Sequence, residues 1–220
     1  MTGRAARVAL EGNGALLVRE RALAAAIQKA LERLYQLERV VDVNAFVQPA
    51  GDGEREALLV RESGDGTVEM ALRLPLLGRR DIDVARGADL DPLCQIIVVV
   101  SLFVYLTDRA DSGREATQLE MELQAEVDKY VVLAASLGRL DERSSARLRR
   151  RLYEAVSFEH GEDTELGERY RLANGLAHRF VIGLEQRYLP RRRFGEMRGE
   201  LRRFYRMGQE EKLRLGRRAA

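Results

Sequence analysis

Hydrophobic residues near the start of the chain recur at a helical spacing. Between residues 20 and 41 they are separated alternately by four and three positions: Leu23, Ile27, Ala30, Leu34, Leu37 and Val41. This spacing places them along one stripe of an α-helix and turns most of the charged residues between them away from it. The pattern predicts an amphipathic helix over about residues 20–41.

The periodicity changes from helical to alternating after this helix. Residues 67–74 place Val68, Met70, Leu72 and Leu74 on one face and polar residues on the other. Residues 42–48 and 56–62 are rich in Val, Leu and Phe, and Gly-containing connections separate the three segments. The pattern predicts a small antiparallel β-meander, with strands at about 42–48, 56–62 and 67–74, that packs its apolar face on the helix.

A polar stretch over residues 78–91 separates this part from one that has helical periodicity throughout. Start and stop signals, such as Asp91-Pro92, Ser112 with Glu115, Gly138 and Pro190, delimit about five helices. These are predicted at about 91–109, 112–138, 142–158, 164–190 and 194–213. The predicted fold is therefore α+β and predominantly α. A small α+β half over 1–90 precedes a helical bundle half over 91–220, as two domains or as one continuous domain.

The longest apolar run in the sequence, Leu93 to Leu106, lies at the start of the predicted helical half. Its 14 residues fall short of the roughly 20 that a membrane-spanning helix needs, so a core helix is predicted. The five β-branched residues at 96–100 leave a central strand open as the alternative.

Composition limits the class of protein. With 45% hydrophobic and 33% charged residues, the chain has enough apolar mass to fold, which excludes a disordered protein. The single cysteine, Cys94, excludes an internal disulfide and is typical of a reducing compartment. Because Glu11 to Gly14 interrupts the apolar stretch after the basic start, no signal peptide is predicted, and a cytoplasmic location is expected.

Charge is distributed unevenly along the chain. Residues 1–138 carry 16 Lys and Arg against 22 Asp and Glu, whereas residues 139–220 carry 21 against 13. Arg147 and Arg149 to Arg151 form one basic cluster. A second cluster is predicted to form a partner-binding basic face on the last helix: Arg191, Arg192, Arg193, Arg198, Arg202, Arg203 and Arg206.

This basic face has three interpretations. It binds a protein partner, it neutralises nucleic-acid phosphates with help from the interleaved Phe194, Phe204 and Tyr205, or it pairs with the acidic helix over 115–128 of the same chain or of a second copy. The first is the leading hypothesis: a non-enzymatic adaptor or scaffold subunit acting in an oligomer or larger complex. RNA or DNA backbone binding is the alternative.

Motifs for catalysis, cofactors and metals are not evident in the sequence. No Glu-x-x-His pair is present, and the glycines at 51–66 lack the context of a phosphate loop, so neither a metal nor a cofactor is predicted. Arg171, Asn174 and His178 form a polar ridge on one predicted helix. We interpret this ridge as an interhelical hydrogen-bonding group or a ligand contact, and an enzyme built around it is a third hypothesis.

Overall fold

The computed structural model describes residues 7–8, 17–38, 41–51, 57–62, 68–77, 84 and 90–218. Within them the elements follow the order β1 (Arg7–Val8), α1 (Val18–Tyr35), a 3-10 turn (Val43–Ala45), β2 (Val47–Pro49), β3 (Ala57–Glu62), β4 (Val68–Leu74), α2 (Asp91–Asp111), α3 (Gln118–Ala135), α4 (Glu142–Tyr153), α5 (Glu165–Tyr188), α6 (Phe194–Arg206) and α7 (Gln209–Arg218). The predicted α+β, predominantly α fold class is confirmed.

Helix α1 ends earlier than its hydrophobic pattern predicts. Gln36 takes the left-handed conformation, with φ 58° and ψ 50°, and the Leu37 amide then donates to the Glu32 carbonyl at 3.0 Å. The predicted continuation to residue 41 is therefore wrong. Leu37 still packs against the core, but as part of the turn, and a turn can present an apolar side chain as well as a helix can.

The sheet is centred on its last strand, β4. Strand β3 pairs antiparallel with it, with Val60 opposite Met70. The other edge of β4 is shared end to end by β1 and β2, and both run parallel to it. The predicted antiparallel meander is thus correct only for β3 and β4.

The segment 42–48 differs because α1 fixes its position. Asp42 caps the 3-10 turn by accepting a hydrogen bond from the Asn44 amide, and the Arg21 side chain donates to the Asn44 and Val47 carbonyls at 3.3 and 3.0 Å. These contacts place β2 beside the edge of β4 that β3 leaves open. As a result, β2 pairs with β4 through three residues, whereas the strand predicted over 42–48 has seven.

Helix α2 lies at the centre of the molecule and contacts α1, α3 and β4. Residues 96–100 are helical, which settles the alternative of a central strand. Ile96, Val100 and Phe103 are completely buried. Among the described helices, α2 is the one whose length and mean hydropathy of 1.7 would suffice to cross a membrane, and 67% of that apolar stretch is buried inside the protein.

Three further helix boundaries differ from the prediction. Helix α4 ends at Tyr153 and not at about residue 158. Helix α3 begins after Thr117, whose hydroxyl accepts from the Glu120 amide, and not at the Ser112–Glu115 signal. The predicted last helix is two helices, because Met207 is extended, with φ −69° and ψ 145°. Its carbonyl accepts from Arg109 at 2.8 Å, a contact that a continuous helix would not offer.

Both halves of the chain contribute to one hydrophobic cluster. Tyr35 of α1 stacks on Tyr205 of α6 with ring centroids 4.1 Å apart, and Phe46 lies 5.2 Å from Phe103 of α2. The division into halves at residue 90 stays a prediction. Most of the predicted linker over 78–91 lies outside the described residues.

Replacing Gln36 with glycine should stabilise the protein by about 1 kcal/mol, because a side chain destabilises the left-handed conformation and glycine does not. Urea unfolding measures the difference. Ala26→Gly, on the exposed face of the same helix, is the matched control and should destabilise by about 0.5–1 kcal/mol. Destabilisation by both variants would contradict the assigned role of Gln36.

Candidate functional site

The predicted basic face lies on the α5–α6 connection and on α6. Five of its guanidinium groups are exposed and have neither a hydrogen bond nor an ion pair with the part of the chain that the structure describes. They belong to Arg191, Arg192, Arg198, Arg203 and Arg206. Unneutralised positive charge therefore lies on the outer side of α6 and on the connection that precedes it.

The other two arginines of the basic face are hydrogen-bonded within the protein. Arg202 Nε donates to the Leu34 carbonyl at 2.6 Å, across 168 positions of sequence, and so joins α6 to the end of α1. Arg193 donates to Glu196 at 3.0 Å and to the Arg187 carbonyl at 2.6 Å. Spacing alone did not separate these two from the rest of the face.

The aromatic residues near these arginines point inward. Phe204 stacks on Phe180 at 4.2 Å, Tyr205 stacks on Tyr35, and Phe194 is partly buried against the core. Because α6 has a strongly apolar inner side, its aromatic residues pack there and leave the outer side to arginine and to Gly195 and Gly199. Base stacking by Phe204 or Tyr205 is therefore excluded in this conformation.

The carboxylates of the acidic helix α3 pair with residues outside the basic face. Glu120 contacts Arg109 at 2.9 Å, Glu122 contacts Arg169 at 2.9 Å, and Glu126 contacts Lys129 at 2.7 Å. Asp128 is buried and accepts hydrogen bonds from neutral groups. The interpretation that α3 neutralises the basic face within one molecule is thus not supported by these contacts.

The predicted polar ridge on α5 does not form a single site. His178 contacts Arg149 at 2.8 Å and Glu154 at 3.2 Å, and burial, together with the Arg149 charge, lowers its pKa. Arg171 instead donates to the His160 carbonyl at 3.0 Å. Asn174 is buried between these two positions on the helix. The three side chains therefore have different environments, which is typical of residues with structural roles.

The densest polar cluster is one that the sequence patterns did not indicate. The Tyr105 hydroxyl accepts from Lys212 Nζ at 2.9 Å and from Arg109, and it donates to Glu120. Arg109 and Glu120 form an ion pair whose side chains are 4% and 5% exposed. Lys212 is completely buried, and its amine lies 4.3 Å from the centre of the Tyr105 ring.

Gln124 extends this cluster toward α1. Its carbonyl oxygen accepts from Lys212 at 3.0 Å, and its amide nitrogen donates to Asp128 at 3.0 Å and to the Tyr35 hydroxyl at 3.1 Å. Asp128 also accepts from Ser101 at 2.6 Å and from Tyr35. The buried network, defined as these eight side chains, therefore joins four helices: Tyr35, Ser101, Tyr105, Arg109, Glu120, Gln124, Asp128 and Lys212.

Burial shifts the titration of this network. Desolvation raises the pKa of Asp128 to about 6, although hydrogen bonds from Ser101, Tyr35 and Gln124 oppose the shift. Desolvation lowers the pKa of Lys212 to about 7, against the attraction of Glu120. Both changes favour neutral forms in a low-dielectric interior.

The scarcity of lysine is a signal in the composition that could have drawn attention to Lys212. The chain has 37 Lys and Arg, of which only Lys29, Lys129 and Lys212 are lysine. A compact amine fits between Tyr105 and Gln124 and can lose its proton, whereas a guanidinium is larger and stays charged. Rarity alone does not distinguish Lys212 from the exposed Lys29, so burial of Lys212 follows only from the structure.

Comparison with known proteins gives no relative: no family model, no curated protein and no solved structure matches this chain. Among the described residues, no group of three or more His, Cys, Asp or Glu could hold a metal ion.

Arg109→Ala should destabilise the protein by about 3–5 kcal/mol, because it leaves the Glu120 carboxylate buried without its cation. Arg61→Ala provides the matched control. It removes an ion pair with Glu69 in which the Arg61 side chain is 76% exposed, and it should change stability by less than about 1 kcal/mol. Urea unfolding of both variants measures the contrast, and equal losses would show that burial is not the cause.

Lys212→Met should flatten the pH dependence of stability above pH 7. The pKa of Lys212 is about 7 in the folded protein and 10.5 in its ordinary state, so the unfolded chain binds more protons between these values. The stability of the wild type should then rise with pH, by on the order of 1 kcal/mol per unit, and fall again as pH drops toward 7.

Urea unfolding between pH 7 and 9 measures this slope. At higher pH Cys94 would lower the stability, because burial raises its pKa from 9.0 to about 11. A wild-type slope that the Lys212→Met variant retains would assign the pH dependence to another group. The fold of the variant is checked by circular dichroism.

Proposed function

We propose that this protein is a non-enzymatic adaptor or scaffold subunit that binds an acidic protein partner through the outer side of α6. The observation that carries the proposal is the set of five exposed guanidinium groups without a partner in the described structure. Their like charges repel one another in the isolated chain, and carboxylates of a partner would relieve that repulsion.

The contrast with α3 supports this proposal. The carboxylates of Glu120, Glu122 and Glu126 are already paired with other basic side chains, so they are not available to the basic face. Gly195 and Gly199 lie on the outer side of α6, and a Cβ atom added at either would meet no atom of another part of the described structure within 4 Å. The backbone of a partner can approach α6 closely between the arginines.

Nucleic-acid binding is the second candidate, because guanidinium groups at this density also suit phosphates. The inward orientation of Phe204 and Tyr205 restricts that candidate to the phosphate backbone, without base stacking. A second copy of the chain as the partner, and a cytoplasmic location, belong to the same proposal.

Placing the photo-crosslinking residue p-benzoylphenylalanine at Gly199 should capture the partner in living cells as a discrete protein adduct. Arg198→Glu, Arg203→Glu and Arg206→Glu, introduced together, should abolish the adduct because they reverse the charge of the face. Arg202 is left intact because it bonds to the Leu34 carbonyl. Gel shift and mass spectrometry identify the adduct.

The matched control reverses three exposed arginines elsewhere, Arg114, Arg143 and Arg150, and should retain the adduct at the same net charge. An adduct that nuclease removes would favour the nucleic-acid candidate. The absence of any adduct, or its survival in the α6 variant, would overturn the role of the basic face.

A further inference from the structure

The first arginine cluster, on α4, divides in the structure. Arg149 is directed into the protein, where it donates to Glu185 at 2.8 Å and contacts His178. Arg150 is exposed to solvent. Arg147 and Arg151 line a cavity that the proposed partner surface on α6 does not include.

This cavity lies between the α3–α4 connection, one side of α4 and Val84. Its volume is about 150 Å³. The lining residues within the described structure include three arginines and no carboxylate: Val84, Leu137, Gly138, Arg139, Ser144, Arg147, Leu148 and Arg151.

Local contacts position two of the arginines. Arg151 Nη1 donates to the Val84 carbonyl at 3.1 Å, which holds its side chain along the cavity wall. Arg139 lies 3.4 Å from Asp141, but that carboxylate already caps α4 by accepting from the Ser144 amide at 2.9 Å. The Arg147 side chain is exposed and has no hydrogen bond or ion pair with described residues.

Two leucines form an apolar part of the described wall. Leu148 is 3% exposed, and Leu137 packs against the core beside it. Electrostatic attraction is stronger beside such a low-dielectric wall than in open water, so an anion in the cavity would interact strongly with the three guanidinium groups.

We propose that this cavity is a binding site for a phosphate group, either free or as part of a phosphate monoester. The cavity volume accommodates a group of this size, and guanidinium groups match the geometry of phosphate oxygens in paired hydrogen bonds. The site is independent of the basic face on α6, because the two share no residue.

Isothermal titration with inorganic phosphate and, separately, with glycerol 3-phosphate tests the proposal at constant ionic strength. Saturable binding with one site per chain is expected for at least one of them, and the tighter of the two identifies the source of the phosphate. Arg147→Gln should weaken that binding about tenfold or more, which is the loss of a charge-assisted hydrogen bond.

Arg150→Gln is the matched control, since it removes the same charge from the same helix at a position that does not line the cavity, and it should leave binding within about twofold. Equal losses in both variants, or the absence of saturable binding, would overturn the site. The α6 triple variant should still bind phosphate, so failure here is distinguishable from failure of the proposed partner surface.

Discussion

The hydrogen bond between the Lys212 amine and the Tyr105 hydroxyl, inside the buried network, is the contact on which the arrangement of the helices depends. Helix α7 has ten residues, too few to be stable in isolation, and Lys212 attaches it to α2 and α3. The network brings two carboxylates and two basic groups into the interior. Desolvation of these charges is costly, so the loss of one partner from a buried ion pair destabilises the fold.

This internal pairing explains the surface of the molecule. Because Glu120 and Asp128 satisfy groups in the buried network, and Glu122 and Glu126 have partners on neighbouring residues, the acidic helix has little charge left for α6. The arginines of α6 then face solvent. The pairing of the α3 carboxylates and the unneutralised positive charge of α6 thus both follow from where the carboxylates lie in the fold.

Arginine residues of identical chemistry have different roles in this fold. Arg109 is buried in an ion pair, Arg202 joins two helices through a backbone carbonyl, Arg147 lines a cavity, and Arg198 is exposed. A guanidinium group can take all of these roles, because its five planar donors can bond to carbonyl as well as to carboxylate oxygens. Net charge and spacing therefore identify the basic regions of the chain, and the environment of each residue decides its role.

The sequence by itself determined the types of most elements and the apolar face of β4, because side-chain periodicity depends on local geometry alone. It also predicted the basic face, since spacing of three or four positions sets which residues share a side of a helix. Only the tertiary structure decided that β2 runs parallel to β4, that Arg202 is structural and that Lys212 is buried. These outcomes depend on contacts between residues far apart in the chain, up to 168 positions for Arg202, and local periodicity contains no information about such contacts.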